Sequence, residues 1–171
     1  MAIDVKALTL AGEGHHGKVY LLDQKRCVKV YSKRTFMEME YKVLKHSERY
    51  PYFPKVYECK DDYMIREYFE GPNLLEYLEQ HRLNENVAIQ LLKIIDSFIE
   101  LGFSKIDCHL HHIIVTEGEF LKIIDPTTNM TRKSSVPRKL LDTLDKLGYK
   151  DTFLEYTKVV RPHYYAKWKH C

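Results

Sequence analysis

The 171-residue sequence has no uninterrupted apolar run near the roughly 20 residues a membrane span needs. Its opening, MAIDVKALTL, lacks the charged-then-apolar layout of a signal peptide. The four cysteines, at 27, 59, 108 and 171, show no CxxC spacing. A disulfide framework and a zinc knuckle are therefore set aside in favour of reduced thiols. These absences predict a cytoplasmic protein with no membrane association. Glycine and proline are few, at 7 and 6, and no repeat or low-complexity tract is visible. With 44% hydrophobic and 30% charged residues the chain has the composition of a soluble globular protein. Its length suits one good-sized core or two small lobes.

Acidic residues are missing from two stretches. None follows Glu155, where Lys158, Arg161, Lys167 and Lys169 stand, and none lies between Pro126 and Leu141, where Arg132, Lys133, Arg138 and Lys139 stand. These eight cations exceed the net charge of +3, so the remainder is acidic. Two readings stand: a solvated basic face, or a patch for an acidic protein or a nucleic acid. For the second, Tyr164, Tyr165 and Trp168 among the C-terminal basic residues are candidates to stack on bases. A helix docked on the core accounts for them equally well.

Residues 7–32 alternate as strand, glycine-rich turn, strand, tight turn and strand. A helical pattern over 34–49 ends at Pro51 and Pro54, and KVYECKDDYMIREYF reads as a hairpin turning at Asp61–Asp62. Gly71–Pro72 is the candidate boundary, giving residues 1–70 and 71–171. Asn73 and Asn84 are placed to cap two helices, the second bearing a wide apolar stripe that Gly102 stops. Pro137 opens a further helix with leucines on one face. The last predicted helix runs over 152–160, and Pro162 breaks it.

Three constellations carry chemistry. DCHLHHIIVTEGEFLKIID, from Asp107 to Asp125, reads as a hairpin with a TEGE turn and a carboxylate at each end. Such a pair can serve an attacking hydroxyl and a metal ion. Gly12, Gly14 and Gly17 form GxGxxG, in which exposed backbone amides can face phosphate oxygens. A dinucleotide fold would need a helix immediately afterwards, and the strand-like KVYLL argues against one. Lys29, in the alternating CVKVY, shares a face with Cys27 and Tyr31. A lysine there wants an acidic partner; Glu40 is the first choice and Glu38 the second, unless the lysine lies at a sheet edge.

In order along the chain, these segments resemble those of a protein kinase over about residues 7–128. GEGHHGKV matches the glycine loop, including Val19. CVKV resembles the strand whose lysine holds the ATP phosphates, which assigns Lys29 that role and sets Cys27 against adenine. Glu40 matches the helix glutamate that pairs with it. YMIREYFEG resembles the strand and hinge, placing Glu67 and Phe69 at the hinge and Arg66 at the gatekeeper. IDCHLHHIIV resembles the catalytic loop with Asp107 as base, and LKIIDPT the metal-binding segment with Asp125 as ligand.

The chain departs from that pattern in several places. Ser104-Lys105-Ile106-Asp107 lacks the family's His and Arg, and Asp125-Pro126-Thr127 replaces its DFG. No APE follows, and no large peptide-binding lobe is present. His109 stands where kinases often place a lysine near the transferred phosphate, and His112 where the second metal ligand is usually Asn. Imidazole suits transition metals better than Mg²⁺, which prefers oxygen, so His112 raises the hypothesis of a preference for Mn²⁺. With His111 these histidines invite a separate zinc reading, disfavoured because no helix puts two on one face.

The resemblance thus implies a short atypical, RIO-like kinase of bacterial type. Its fold would be α+β and two-lobed: a five-stranded antiparallel sheet with one helix, a reduced C-terminal helical lobe, and ATP between them. It implies ATP and Mg²⁺ or Mn²⁺ as cofactors, and transfer of the γ-phosphoryl group to Ser or Thr of a protein substrate. Ser134 and Ser135 are candidate autophosphorylation sites, or a helix cap ahead of Pro137. Two alternatives stay open: a catalytically impaired pseudokinase acting as an ATP-binding scaffold, and a small-molecule kinase.

Overall fold

The computed structural model describes residues 4–126 and 134–171. Thr127, Arg132 and Lys133 lie outside the described residues. The fold is mixed α+β, and the chain divides into two compact units, Met1–Glu70 and Gly71–Cys171.

The first unit is a five-stranded antiparallel sheet with one helix. The strands are β1 (Leu10–Gly14), β2 (Gly17–Leu21), β3 (Arg26–Tyr31), β4 (Val56–Lys60) and β5 (Tyr63–Glu67), in the order β1-β2-β3-β5-β4. Short turns make this possible: Gly14 pairs with Gly17 across His15–His16, and Asp61 takes a positive φ of 47° between β4 and β5. Helix α1 (Arg34–His46) buries Met37, Glu40, Val43 and Leu44. Directly opposed residues share a face, so Val19, Lys29 and Met64 form one row across the sheet, and Leu21, Cys27 and Arg66 the next.

The second unit is built on α3 (Glu85–Glu100), capped by the Asn84 side chain on the Val87 amide as the sequence predicts. Leu91, Leu92, Ile94, Ile95 and Phe98 are almost wholly buried, each contributing about 1.5–3 kcal/mol. Around α3 stand α2 (Leu74–Gln80), closed by a reciprocal Asn73–Glu76 capping box, the hairpin β6 (Ile113–Thr116) and β7 (Phe120–Ile123), and helices α4 (Arg138–Lys146), α5 (Lys150–Val160) and α6 (Pro162–Trp168). No helix among the described residues is long and apolar enough to cross a membrane.

Pro162 ends the helix before it, as its position in the sequence predicts. It also begins α6 at the first helical position, where its missing N–H has no intrahelical partner to lose. Trp168 and Tyr164, offered above as base-stacking candidates, are buried and stacked on each other at 4.6 Å. Asp96 ties α3 to this end through the Arg161 guanidinium at 2.7 Å and the Tyr164 hydroxyl at 2.8 Å. Tyr165 lies between the Lys158 and Lys169 ammonium groups, at 5.6 and 5.8 Å from its ring centre.

The TEGE turn is fixed by a polar network. Gly118 and Glu119 both take positive φ, 77° and 59°. The Glu119 carboxylate accepts from the Tyr77 hydroxyl and from Asn84. Gln90, on α3, donates to the Glu119 carbonyl at 2.7 Å and accepts from the Leu121 amide at 2.9 Å, so one amide side chain serves backbone groups on both sides of Phe120.

The Glu119 bond is the main cause that pushes the Tyr77 hydroxyl up to about 12 and holds Glu119 below the ordinary carboxylate value. The tyrosine's folded value is raised. Its contribution to stability is therefore full below the unfolded value of about 10 and is lost as pH rises through about 12. Glu119 is the opposite case: its contribution is present above the unfolded value and lost as pH falls through the lowered one. Glu119→Gln is expected to return the Tyr77 titration toward about 10. Alkaline difference absorbance against Tyr77→Phe reads the shift; an unmoved titration refutes the assignment.

Candidate functional site

In the first unit the strand alternation of CVKVY turns Lys29 inward, and α1 follows closely enough to bring Glu40 to it. Lys29 Nζ lies 2.5 Å from Glu40 Oε2, with both side chains buried. Glu38, the other partner considered, is exposed and pairs with Arg34 instead. Glu40 also accepts at Oε1 from Arg66 Nη1, at 2.8 Å. The expected gatekeeper is thus a second cation on the same carboxylate. Alternation along Tyr63–Glu67 already puts Arg66 on one face with Met64; the β3–β5 register then sets Arg66 opposite Cys27.

Val19 is the direct neighbour of Lys29 on the same face, and Cys27 is buried one pair further along. Burial, the largest cause, pushes the Cys27 thiol up, partly offset by Arg66 and Lys29, so this wall is a neutral thiol at physiological pH. The Glu67 carboxylate accepts from the Lys55 amide at 3.2 Å, and Phe69 is buried.

The three glycines differ. A side chain at Gly17 would meet the Val30 carbonyl oxygen at 2.0 Å, and its φ is +149°. At Gly12 and Gly14 an added Cβ meets nothing within 4 Å. The protein's own packing requires glycine at 17; at 12 and 14 it leaves space that a close-lying ligand can use. The tip of the hairpin leans on α1: the His16 ring packs tilted against Phe36 with ring centres 4.4 Å apart, and the Ser32 amide donates to the His16 carbonyl at 3.0 Å. No sequence pattern flagged that contact.

In the second unit the loop before β6 carries Asp107, His109 and His112. Asp107 is buried, and its two carboxylate oxygens accept from the backbone amides of Lys139 and Leu140, each at 3.1 Å. An acid read as a proton acceptor is here the cap of α4, supplied from 32 residues upstream. A parallel bridge joins Lys105 to Ser134, through Ser134 N to Ser104 O at 2.9 Å and Ile106 N to Ser134 O at 3.1 Å. The Ser134 hydroxyl donates to the Val136 carbonyl at 2.6 Å, whereas Ser135 is exposed.

His109 Nε2 lies 2.8 Å from the Lys139 ammonium. Burial first, then Lys139 and His112, lower the His109 pKa and favour a neutral ring. His112 sits edge-on to it, with ring centres 5.5 Å apart. The Ile124 amide donates to the His112 carbonyl at 2.9 Å, which sets Asp125 one residue beyond the pair at the open end of the hairpin. Among the described residues no three His, Cys, Asp or Glu side chains form a metal-binding group.

No family model matches the chain. A curated protein of Bacillus subtilis (strain 168), named "Putative serine/threonine-protein kinase YrzF", is 25% identical to it over 128 residues. That match covers 69% of this chain and 58% of the Bacillus protein's length.

Proposed function

We propose that the protein binds ATP with Mg²⁺ or Mn²⁺ and transfers its γ-phosphoryl group to a hydroxyl, with Ser or Thr of a protein as the acceptor. The observation that carries this reading is the buried Lys29–Glu40 pair, on the sheet face shared with Val19 and Cys27. A strand ammonium held by a helix carboxylate, reached through a glycine hairpin, is the arrangement that grips nucleotide phosphates in kinases. The name of the Bacillus relative agrees with it.

In this reading Lys29 holds phosphate oxygens, Gly12 and Gly14 let backbone amides approach them, and Glu67 and Phe69 present hinge backbone to adenine. Asp125 and His112 hold the divalent ion, which neutralises phosphate charge when bound. Asp107 accepts the proton of the acceptor hydroxyl while each of its oxygens also accepts one α4 amide. The exposed basic residues of α5 and α6 form a surface for an acidic partner.

Lys29→Met tests the nucleotide site. Losing a charge-assisted contact of about 1.5–3 kcal/mol weakens ATP binding about 10- to 150-fold. Calorimetric titration with ATP and Mn²⁺ measures it, and equal affinity in both proteins rejects the reading.

The capping of Asp107 favours a second reading, an ATP-binding scaffold impaired in transfer. Radiolabelled phosphate transfer by the wild type and by Asp107→Asn separates the two. Transfer lost in the variant supports catalysis; ATP binding with no difference in transfer supports the scaffold.

A further inference from the structure

Lys139 touches both positions that the catalytic reading assigns to the loop before β6. Its amide donates to Asp107 Oδ2 at 3.1 Å, and its ammonium lies 2.8 Å from His109 Nε2. We infer that Lys139 is the positioning residue of this loop, holding the Asp107 carboxylate with its backbone and the His109 ring with its side chain. What the loop does once fixed rests on the transfer reading above.

The two bonds differ in kind and in what they fix. Leu140 N shares the capping of Asp107, so the carboxylate is held at both oxygens by consecutive amides of α4. That sets the position and plane of the acid. The ammonium can only donate, so His109 Nε2 must present its lone pair, and the ring proton sits on Nδ1. The side-chain bond therefore selects a tautomer as well as an orientation. The Lys105–Ser134 bridge joins the loop to the segment leading into α4. Loop and helix start are thus tied at four points, two of them through Lys139.

An exposed lysine ordinarily contributes little, because holding its long side chain costs entropy. Here the ammonium bonds to a partly buried ring on a residue whose backbone carbonyl accepts from the His112 amide at 2.9 Å, in the turn that leads into β6. The consequence is orientation of His109, with stability hardly involved.

Three variants separate the two bonds. Lys139→Ala keeps the amide and removes the ammonium, Lys139→Arg keeps a donor, and Lys139→Pro removes the amide as well. Long-range ¹H–¹⁵N spectra of the histidine rings, assigned with His109→Asn, report the tautomer without any nucleotide. The wild type is expected to show Nδ1 protonated, Lys139→Ala to shift to the Nε2-protonated form, and Lys139→Arg to restore the wild-type pattern. Nε2 protonation in the wild type, or unchanged spectra in Lys139→Ala, overturns the inference.

For turnover, Lys139→Ala is expected to lower kcat about tenfold with KM for ATP unchanged, and arginine to recover it. A shifted tautomer with unaltered kcat would also overturn the positioning role. If the wild type turns over no ATP, the transfer reading fails, and the ring spectra still decide whether Lys139 holds the loop.

Discussion

Glu40→Ala is expected to destabilise the first unit by about 3–5 kcal/mol, the usual consequence of deleting one partner of a buried ion pair. The carboxylate is fully buried and stands between the Lys29 ammonium and the Arg66 guanidinium. Removing it leaves two like charges facing each other in a region of low dielectric, and opens a cavity beneath β3. The loss is of the same order as the whole stability of many small domains. Hydrogen-exchange protection of the β3 and β5 amides measures it directly. Glu38→Ala, two residues away on the exposed face of α1, is the control and is expected to change protection by no more than about 0.5 kcal/mol. Equal protection in Glu40→Ala and the wild type would mean that the trio contributes nothing net to the fold.

Alanine at the three loop glycines is expected to give two opposite outcomes. Gly17→Ala forces a left-handed φ on a residue with a side chain and drives that side chain into the Val30 carbonyl. Strain and overlap together cost about 3 kcal/mol or more, enough to separate β2 from β3. Gly12→Ala and Gly14→Ala meet open space and carry no positive φ. They should leave stability unchanged or raise it by up to about 1 kcal/mol, by restricting the unfolded chain. If backbone amides there face phosphates, both should weaken ATP binding while melting normally. Thermal unfolding and ATP titration of the three variants give the pattern. Tight ATP binding by Gly12→Ala and Gly14→Ala would remove the hairpin from the proposed site.

The parts legible in the sequence are those set by local rules. Period-two alternation located the strands, Asp61–Asp62 the second turn, and Asn73 and Asn84 the helix starts. The Lys29–Glu40 pair was readable because strand and helix are consecutive, so few carboxylates were within reach. The partners of Arg66 and Asp107 were not legible, because they come from distant segments. The β3–β5 register sets Arg66 beside the same carboxylate as Lys29, and nothing local encodes that register. Capping rules consult the residues just before a helix, where Pro137 offers no side-chain acceptor; the actual cap of α4 comes from Asp107. In the sequence Lys139 is only one charge in a basic run, because the meaning of its bonds depends on that cap.

The placement of Trp168 bears on how the chain matures during synthesis. This fully buried indole lies in α6, stacked on Tyr164 and donating to the Ser135 carbonyl at 3.4 Å. The first unit has all its strands once residue 67 has been made, and can fold while translation continues. The second lacks its largest interior side chain until residue 168 is added. A nascent chain in between carries one half able to fold and one half with its leucine-rich helices uncovered, a state that chaperones bind and proteases cut.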